Sequence, residues 1–147
     1  MSLYYTDTSA LIRCYFPDEP EHAELNAALL GRAEPVVTSE LTRLEMHSTV
    51  AAAHRAGRVT DPDSLLAVID TDCSQDGPVT LLRMEPDVVF AEATRLVARY
   101  PLRSLDALHL AVARTTAAEL AGGEPVVLVT RDHRQAAAAR ELGMAVE

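Results

Sequence analysis

Residues 3–11, which read LYYTDTSAL, contain the change of pattern that decides the fold. Leu3–Thr6 is a short run of β-forming residues, and residues 7–9 interrupt it with small polar side chains. Residues 10–12 begin a different periodicity, so the stretch predicts a strand, a tight turn and a helix in that order. In an open parallel sheet, ligands bind at the carboxyl ends of the strands, which is where Asp7 is expected to lie.

The rest of the chain alternates the same two kinds of segment. Short apolar or β-branched runs predict strands at residues 3–6, 35–38, 79–84, 125–130 and 144–146. Longer segments bounded by proline, glycine or capping residues predict helices at residues 10–16, 21–30, 40–57, 61–69, 86–100, 105–120 and 133–142. Ser39 and Ser104 are the expected caps of the third and sixth helices.

This alternation predicts an α/β fold with a short, mostly parallel central sheet of about five strands and helices on both faces. The length of 147 residues is enough for one domain with a substantial core, and no repeat or linker divides the chain. We therefore expect a single domain that spans residues 1–147.

The composition is that of a globular protein with an acidic excess. Of the 147 residues, 48% are hydrophobic and 24% charged, and the formal net charge is −9. This charge argues against a broad basic surface that coats nucleic acid, but it is compatible with a small site where cations mediate contact with phosphate. No run approaches the roughly 18 apolar residues of a membrane span, and no signal peptide is evident. Two cysteines without metal-ligand spacing indicate reduced thiols in a cytoplasmic protein.

Three acidic residues at predicted helix starts are candidates for a functional site. Asp7 and Asp132 each follow a strand and precede a helix, and Asp106 lies in the first turn of the 105–120 helix. Capping, or attraction to the helix dipole, accounts for each of them separately and stabilises a helix by about 1 kcal/mol or less. Connectivity alone leaves open which edge of the sheet the start of the Asp106 helix faces.

Glu45 is not explained by capping, because it lies about two turns inside its predicted helix. Four residues spaced three or four apart share a helical face with Glu45 and predict a stripe that faces the protein interior: Leu41, Leu44, Ser48 and Ala52. A carboxylate on such a stripe is costly to bury unless it is paired or binds a cation. The alternatives are a position at the rim, or a pairing with Arg43 or His47.

The four acids have a common chemical use if they converge. Asp7 and Asp132 approach each other if their strands are neighbours, and Ser9 and Thr130 are then placed to hydrogen-bond a carboxylate or a water. Crowded carboxylates hold a proton or a divalent cation, and oxygen ligands favour Mg²⁺ or Mn²⁺. Two such ions about 4 Å apart activate water and stabilise the leaving oxygen in phosphodiester cleavage.

Four short segments in a fixed order resemble the PIN-domain ribonucleases, and within them the VapC-type toxins of bacterial toxin–antitoxin pairs. The segments are residues 7–11 (DTSAL), 39–45 (SELTRLE), 104–111 (SLDALHLA) and 129–132 (VTRD). None is specific alone, but the ordered set covers essentially the whole chain.

The resemblance implies a metal-dependent endoribonuclease that hydrolyses RNA phosphodiester bonds as the toxin of a toxin–antitoxin pair. It implies one acidic cluster made of Asp7, Glu45, Asp106 and Asp132. Asp7 and Asp106 are then the principal ligands of Mg²⁺ (or Mn²⁺), while Glu45 and Asp132 complete the site or position water. Ser9 and Thr130 match supporting hydroxyl positions. The implied partners are RNA, a second copy of the chain, and an antitoxin whose C-terminal segment occupies the active-site groove.

Two other functions are compatible with these residues. One is a phosphohydrolase that uses Asp7 as a covalent nucleophile, although Thr8 and Ser9 follow it where such enzymes usually carry a second acid. The other is a catalytically silent PIN-fold module that binds only a protein.

Other polar side chains near the four segments have weaker signals. His109, alone in an apolar helix, is predicted to be a packing residue rather than a catalytic one. Four arginines flank the segments and either contact RNA phosphates or lie on a solvated face: Arg13, Arg43, Arg103 and Arg131.

Overall fold

Five strands form one parallel sheet in a computed structural model that describes all 147 residues. The strands are β1 (Leu3–Thr6), β2 (Val36–Ser39), β3 (Val79–Leu82), β4 (Val126–Val129) and β5 (Ala145–Val146). Their order is β3-β2-β1-β4-β5, and every pairing is parallel. The chain moves outward from β1 to β3 and then returns to the other side of β1. The carboxyl ends of β1 and β4 therefore flank the point where the strand order reverses, and α/β proteins bind ligands at such a point.

Helices cover both faces of the sheet, as the sequence predicts. They are α1 (Thr8–Leu11), which a 3₁₀ turn (Ile12–Cys14) extends, α2 (His22–Leu29), α3 (Glu40–Arg55), α4 (Pro62–Asp72), α5 (Pro86–Arg99), α6 (Ser104–Val112), α7 (Ala118–Ala121) and α8 (His133–Glu141). None of them combines the length and apolar character needed to cross a lipid bilayer.

Alternating strand residues supply two separate hydrophobic cores, because successive side chains of a strand point to opposite faces. Tyr5 and Leu128 belong to an 18-residue core that α5, α6 and α8 cover. Val36 and Val129 belong to a 14-residue core beneath α1 to α4. This second core also contains both cysteines, which are free and buried.

The helix predicted at residues 105–120 has nearly the predicted extent but differs in its cap and in the hydrogen bonding of its second half. Its N-cap is Arg103, no side chain caps it, and Ser104 is already the first helical residue. The predicted Ser104 cap is therefore wrong. Regular α-helical hydrogen bonding ends at Val112, and a π-helical segment (Ala113–Ala117) leads into α7. The run of mostly small or apolar residues from Ala107 to Ala113 carries no mark of this change.

Candidate active site

Asp7 lies directly after β1 and is held by four hydrogen bonds. Its Oδ1 accepts from the backbone N–H of Ala10 at 3.1 Å and from the hydroxyl of Ser9 at 2.8 Å. Its Oδ2 accepts from the hydroxyl of Thr130 at 2.7 Å and from Ser9 at 2.9 Å. Asp7 therefore caps α1 and also contacts Thr130, the residue that follows β4. Both side-chain oxygens are engaged and the residue is only 2% exposed, which disfavours a covalent nucleophile.

Burial raises the pKa of Asp7, although the hydrogen bonds from Thr130 and Ser9 oppose the effect. A carboxylate with a raised pKa is less stable in its charged form than it is in water. A nearby cation would relieve this cost.

Glu45 projects from the second turn of α3 toward the start of α1. Its Oε1 accepts from the hydroxyl of Thr8 at 2.8 Å and from Nε2 of His109 at 2.5 Å. Burial raises the pKa of Glu45, but the hydrogen bonds from His109 and Thr8 and the positive charge of Arg103 outweigh it and hold the pKa below its usual value. Glu45 is therefore ionised and firmly oriented.

The predicted inward stripe around Glu45 is wrong. Leu44 is 69% exposed, and Ser48 and Ala52 also face solvent. The buried face of α3 is instead made of Thr42, Met46, Val50 and Ala53. Glu45 lies at the boundary between the two faces, where a carboxylate can reach the pocket without entering the core. The predicted alternatives, Arg43 and His47, both pair with Asp70.

Asp106 and Asp132 share one guanidinium group. Arg103 Nε lies 3.2 Å from Asp106 Oδ2, and Arg103 Nη2 lies 3.7 Å from Asp132 Oδ2. Asp132 also caps α8 by accepting from the backbone N–H of Gln135. Burial, followed by repulsion from Asp132, raises the pKa of Asp106, and Arg103 only partly offsets it.

Gln135 connects the start of α6 to this edge of the sheet. Its side-chain amide is buried and donates to the backbone carbonyl of Asp106 at 2.8 Å. This bond ties the first turn of α6 to the first turn of α8. It settles the placement that connectivity left open.

The four acids line one polar pocket of about 240 Å³ at the carboxyl edge of the sheet. Its ten lining residues are Asp7, Thr8, Ser9, Ile12, Glu45, Thr49, Arg103, Asp106, His109 and Asp132, of which only Ile12 is hydrophobic. A larger groove of about 660 Å³ runs between α3 and the end of β3, but none of the four acids lines it. The acidic chemistry is therefore confined to the smaller pocket.

The donor set of this pocket suits a hard cation, because carboxylates and hydroxyls are oxygen ligands. Two of the carboxyls, Asp7 and Asp106, have raised pKa values and gain from added positive charge. No three acidic, histidine or cysteine side chains converge closely enough to coordinate a single ion in this arrangement. Arg103 supplies positive charge between Asp106 and Asp132. The oxygen ligands of the pocket thus fit a divalent cation in their chemistry, although their spacing in this structure does not form a complete coordination shell.

Of the four flanking arginines, only Arg103 lines the pocket. Arg131 and Arg13 both pair with Glu21, and Arg43 pairs with Asp70. Arg103 is also paired, with Asp106 and Asp132, but its side chain is 79% exposed and lies at the pocket, where it can contact a phosphate.

His109 contacts residues of the site, although the sequence pattern predicted only a packing role for it. It is 2% exposed, as a packing residue would be, but both ring nitrogens have partners in the site region. Nδ1 lies 2.9 Å from the hydroxyl of Tyr5, and Nε2 contacts Glu45. The available signal was its spacing of three residues from Asp106, which puts both side chains on neighbouring positions of α6.

Asp7→Asn should raise the thermal stability of the metal-free protein at neutral pH. The wild-type folded state binds a proton at Asp7 more tightly than the unfolded state does, so its stability falls as pH rises between the ordinary and the raised pKa. Asparagine removes that loss and can still accept from Ala10 N–H. Each kcal/mol regained corresponds to roughly 2–4 °C in melting temperature.

Melting curves in EDTA at several pH values test this expectation. The advantage of Asp7→Asn should be largest at neutral pH and vanish at acidic pH, where the wild-type carboxyl is also protonated. A variant that melts below wild type at neutral pH would contradict the electrostatic account.

Comparisons with known proteins identify the family of this chain. The sequence profile of the PIN domain matches residues 4–141. Ribonuclease VapC47 of Mycobacterium tuberculosis is 35% identical over 144 residues, which cover 96% of this chain and 93% of that protein.

Two solved structures share the fold. One is VapC20 of Mycobacterium tuberculosis, described as a sarcin–ricin loop cleaving toxin, with a TM-score of 0.67, 19% identity, and coverage of 92% of this chain and 94% of that chain. The other is a toxin–antitoxin complex from Klebsiella pneumoniae, with a TM-score of 0.53 and 19% identity. The match covers 92% of this chain and 89% of that chain. On the profile match and the identity to VapC47, this chain belongs to the PIN-domain family and, within it, to the VapC group.

Proposed function

We propose that this chain is a divalent-metal-dependent endoribonuclease that hydrolyses cytoplasmic RNA and acts as the toxin of a toxin–antitoxin pair. The observation that carries the proposal is the meeting of four carboxylates, from four distant segments, in one polar pocket where the strand order reverses. The name of the relative VapC47, a ribonuclease, supports RNA as the substrate. Residues 1–147 act as one nuclease domain in this proposal.

The proposed roles follow from the charge and orientation of each acid. Asp7 and Asp106 are the principal metal ligands, because burial leaves both carboxylates short of compensating charge. Glu45 and Asp132 complete the site or position water. When held by these carboxylates, Mg²⁺ or Mn²⁺ would supply positive charge to stabilise the phosphate in the transition state and to lower the pKa of a water.

The supporting residues act on Asp7 and on the substrate. Ser9 and Thr130 donate to Asp7 and fix the direction of its carboxylate. Arg103 offers a charged, exposed donor to the RNA phosphate.

The proposed protein partners are a cognate antitoxin and a second copy of the chain. The structural likeness to a protein in a toxin–antitoxin complex supports the first. Phe90 and Val97, two turns apart on α5 and 53% and 44% exposed, support an apolar contact between copies.

End-labelled structured RNA tests the activity directly. We expect internal cleavage with Mg²⁺ or Mn²⁺, no cleavage in EDTA, and recovery when the divalent ion is returned in excess. Intact RNA under every metal condition would favour the silent interaction module. A trapped phospho-aspartate at Asp7 would favour the phosphohydrolase.

A further inference from the structure

A buried chain of hydrogen bonds runs from the core of the protein to Glu45. It begins at Tyr5, a fully buried residue of β1, whose hydroxyl lies 2.9 Å from Nδ1 of His109. It continues from Nε2 of His109 to Oε1 of Glu45 at 2.5 Å. Three elements that are distant in sequence, β1, α3 and α6, are thus joined at the floor of the pocket.

The proton positions follow from what each group is able to donate. A carboxylate only accepts, so Nε2 of His109 carries the hydrogen that it shares with Glu45. In the neutral ring Nδ1 then accepts, and the Tyr5 hydroxyl donates to it. A phenol has an ordinary pKa of about 10, so the Tyr5 hydroxyl keeps its proton at neutral pH.

The two oxygens of Glu45 are not equivalent. Oε1 accepts from both His109 and Thr8, whereas Oε2 has no hydrogen-bond partner in the protein. Because Glu45 lines the pocket, holding Oε1 leaves Oε2 as the oxygen offered to a ligand. Partners that orient a ligating side chain in this way typically contribute about 10- to 100-fold in metal affinity.

We propose that His109 is a positioning residue that donates Nε2–H to Glu45 Oε1, is held in that tautomer by Tyr5, and so directs Glu45 Oε2 toward a divalent cation in the pocket. The last step rests on the proposed metal-dependent function, whereas the hydrogen-bond chain does not. Helix α6 would then serve the site twice, since Asp106 offers its own carboxylate and His109 orients that of Glu45.

Two amide substitutions separate positioning from packing. In His109→Gln the side-chain amide nitrogen reaches about as far as Nε2 and can still donate to Glu45. In His109→Asn the shorter amide reaches only the position of Nδ1. We expect Mn²⁺ affinity, measured by electron paramagnetic resonance, to fall about 10- to 100-fold in His109→Asn and to stay within a few-fold of wild type in His109→Gln. Tyr5→Phe should lie between them.

Nitrogen-15 spectra of the wild-type imidazole test the hydrogen-bond chain without any variant. We expect His109 to carry its proton on Nε2 and to have a hydrogen-bonded, unprotonated Nδ1. A proton on Nδ1 alone would overturn the proposal. The proposal would also be overturned if His109→Asn and His109→Gln lost the same Mn²⁺ affinity and these losses tracked their losses in melting temperature.

The nuclease function and the positioning role of His109 are contradicted by different results. A wild-type protein that binds Mn²⁺ but leaves RNA intact would refute the nuclease, while the order of the Mn²⁺ affinities would still decide the role of His109. A wild-type protein that binds no Mn²⁺ would overturn the positioning role as well.

Discussion

Asp106→Asn should reduce metal-dependent RNA cleavage by on the order of 10³-fold or more while the protein remains folded. The divalent cation is expected to supply several kcal/mol of transition-state stabilisation, and each 1.36 kcal/mol is about tenfold in rate. Asparagine keeps the shape of the side chain but removes the charge that would hold the cation.

The fold should tolerate this change because Asp106 is not a structural cap. Neither Asp106 nor any other side chain caps α6, and the buried bond at this position is made by the backbone carbonyl of Asp106 to Gln135. The raised pKa of Asp106 also shows that its charge opposes folding rather than supporting it. We therefore expect the melting temperature to stay at or above that of wild type.

Asp87→Asn is the matched control. Asp87 occupies the first turn of α5, as Asp106 does in α6, but it is exposed and does not line the pocket. Single-turnover cleavage with saturating Mn²⁺ should be unchanged in Asp87→Asn. If Asp106→Asn cleaves as fast as this control, Asp106 is not a metal ligand and the proposed mechanism is wrong.

The fold was predictable because the pattern of this chain is local. Each strand is a short apolar run, and proline or glycine marks most of the helix ends, so the five parallel strands and the helices on both faces follow from sequence. Asp7 and Asp132 were predictable for the same reason, since each lies between a strand and the helix that follows it and β1 pairs with β4.

The missed features depend on contacts between distant segments. Tyr5 and Glu45 are 104 and 64 residues from His109, and no periodicity of α6 indicates either contact. Glu45 itself was identified for an incorrect reason, because the face of α3 that carries it is mostly exposed. The better indication of Glu45 was the resemblance of residues 39–45 to the PIN-domain ribonucleases.

The widened turn after α6 is a further feature that local sequence conceals. The π-helical segment Ala113–Ala117 carries Arg114, whose Nε lies 2.8 Å from Oε1 of Glu92 on α5. Glu92 is nearly buried, with a side chain that is 9% exposed, and Arg95 reaches its other oxygen at 3.0 Å from the solvent side. This ion pair fixes the far end of the α6 region against α5.

Arg114→Met should lower the free energy of unfolding by about 3 kcal/mol, because it leaves Glu92 partly unpaired in a buried position. Removing one partner of a buried ion pair usually costs about 3–5 kcal/mol, and the low end applies here because Arg95 still contacts Glu92. Urea denaturation of the variant and of wild type at neutral pH measures this difference directly.

Two further variants assign the loss to the buried charge. Arg95→Met removes an exposed partner of the same carboxylate and should cost less than about 1 kcal/mol. The double variant Glu92→Met/Arg114→Met replaces the pair with apolar side chains and should recover most of the stability, because no charge is left without a partner. If the double variant is less stable than Arg114→Met, packing of the arginine stem rather than the charge of Glu92 determines the loss. Cleavage per folded molecule should be unchanged throughout, since neither Glu92 nor Arg114 lines the pocket.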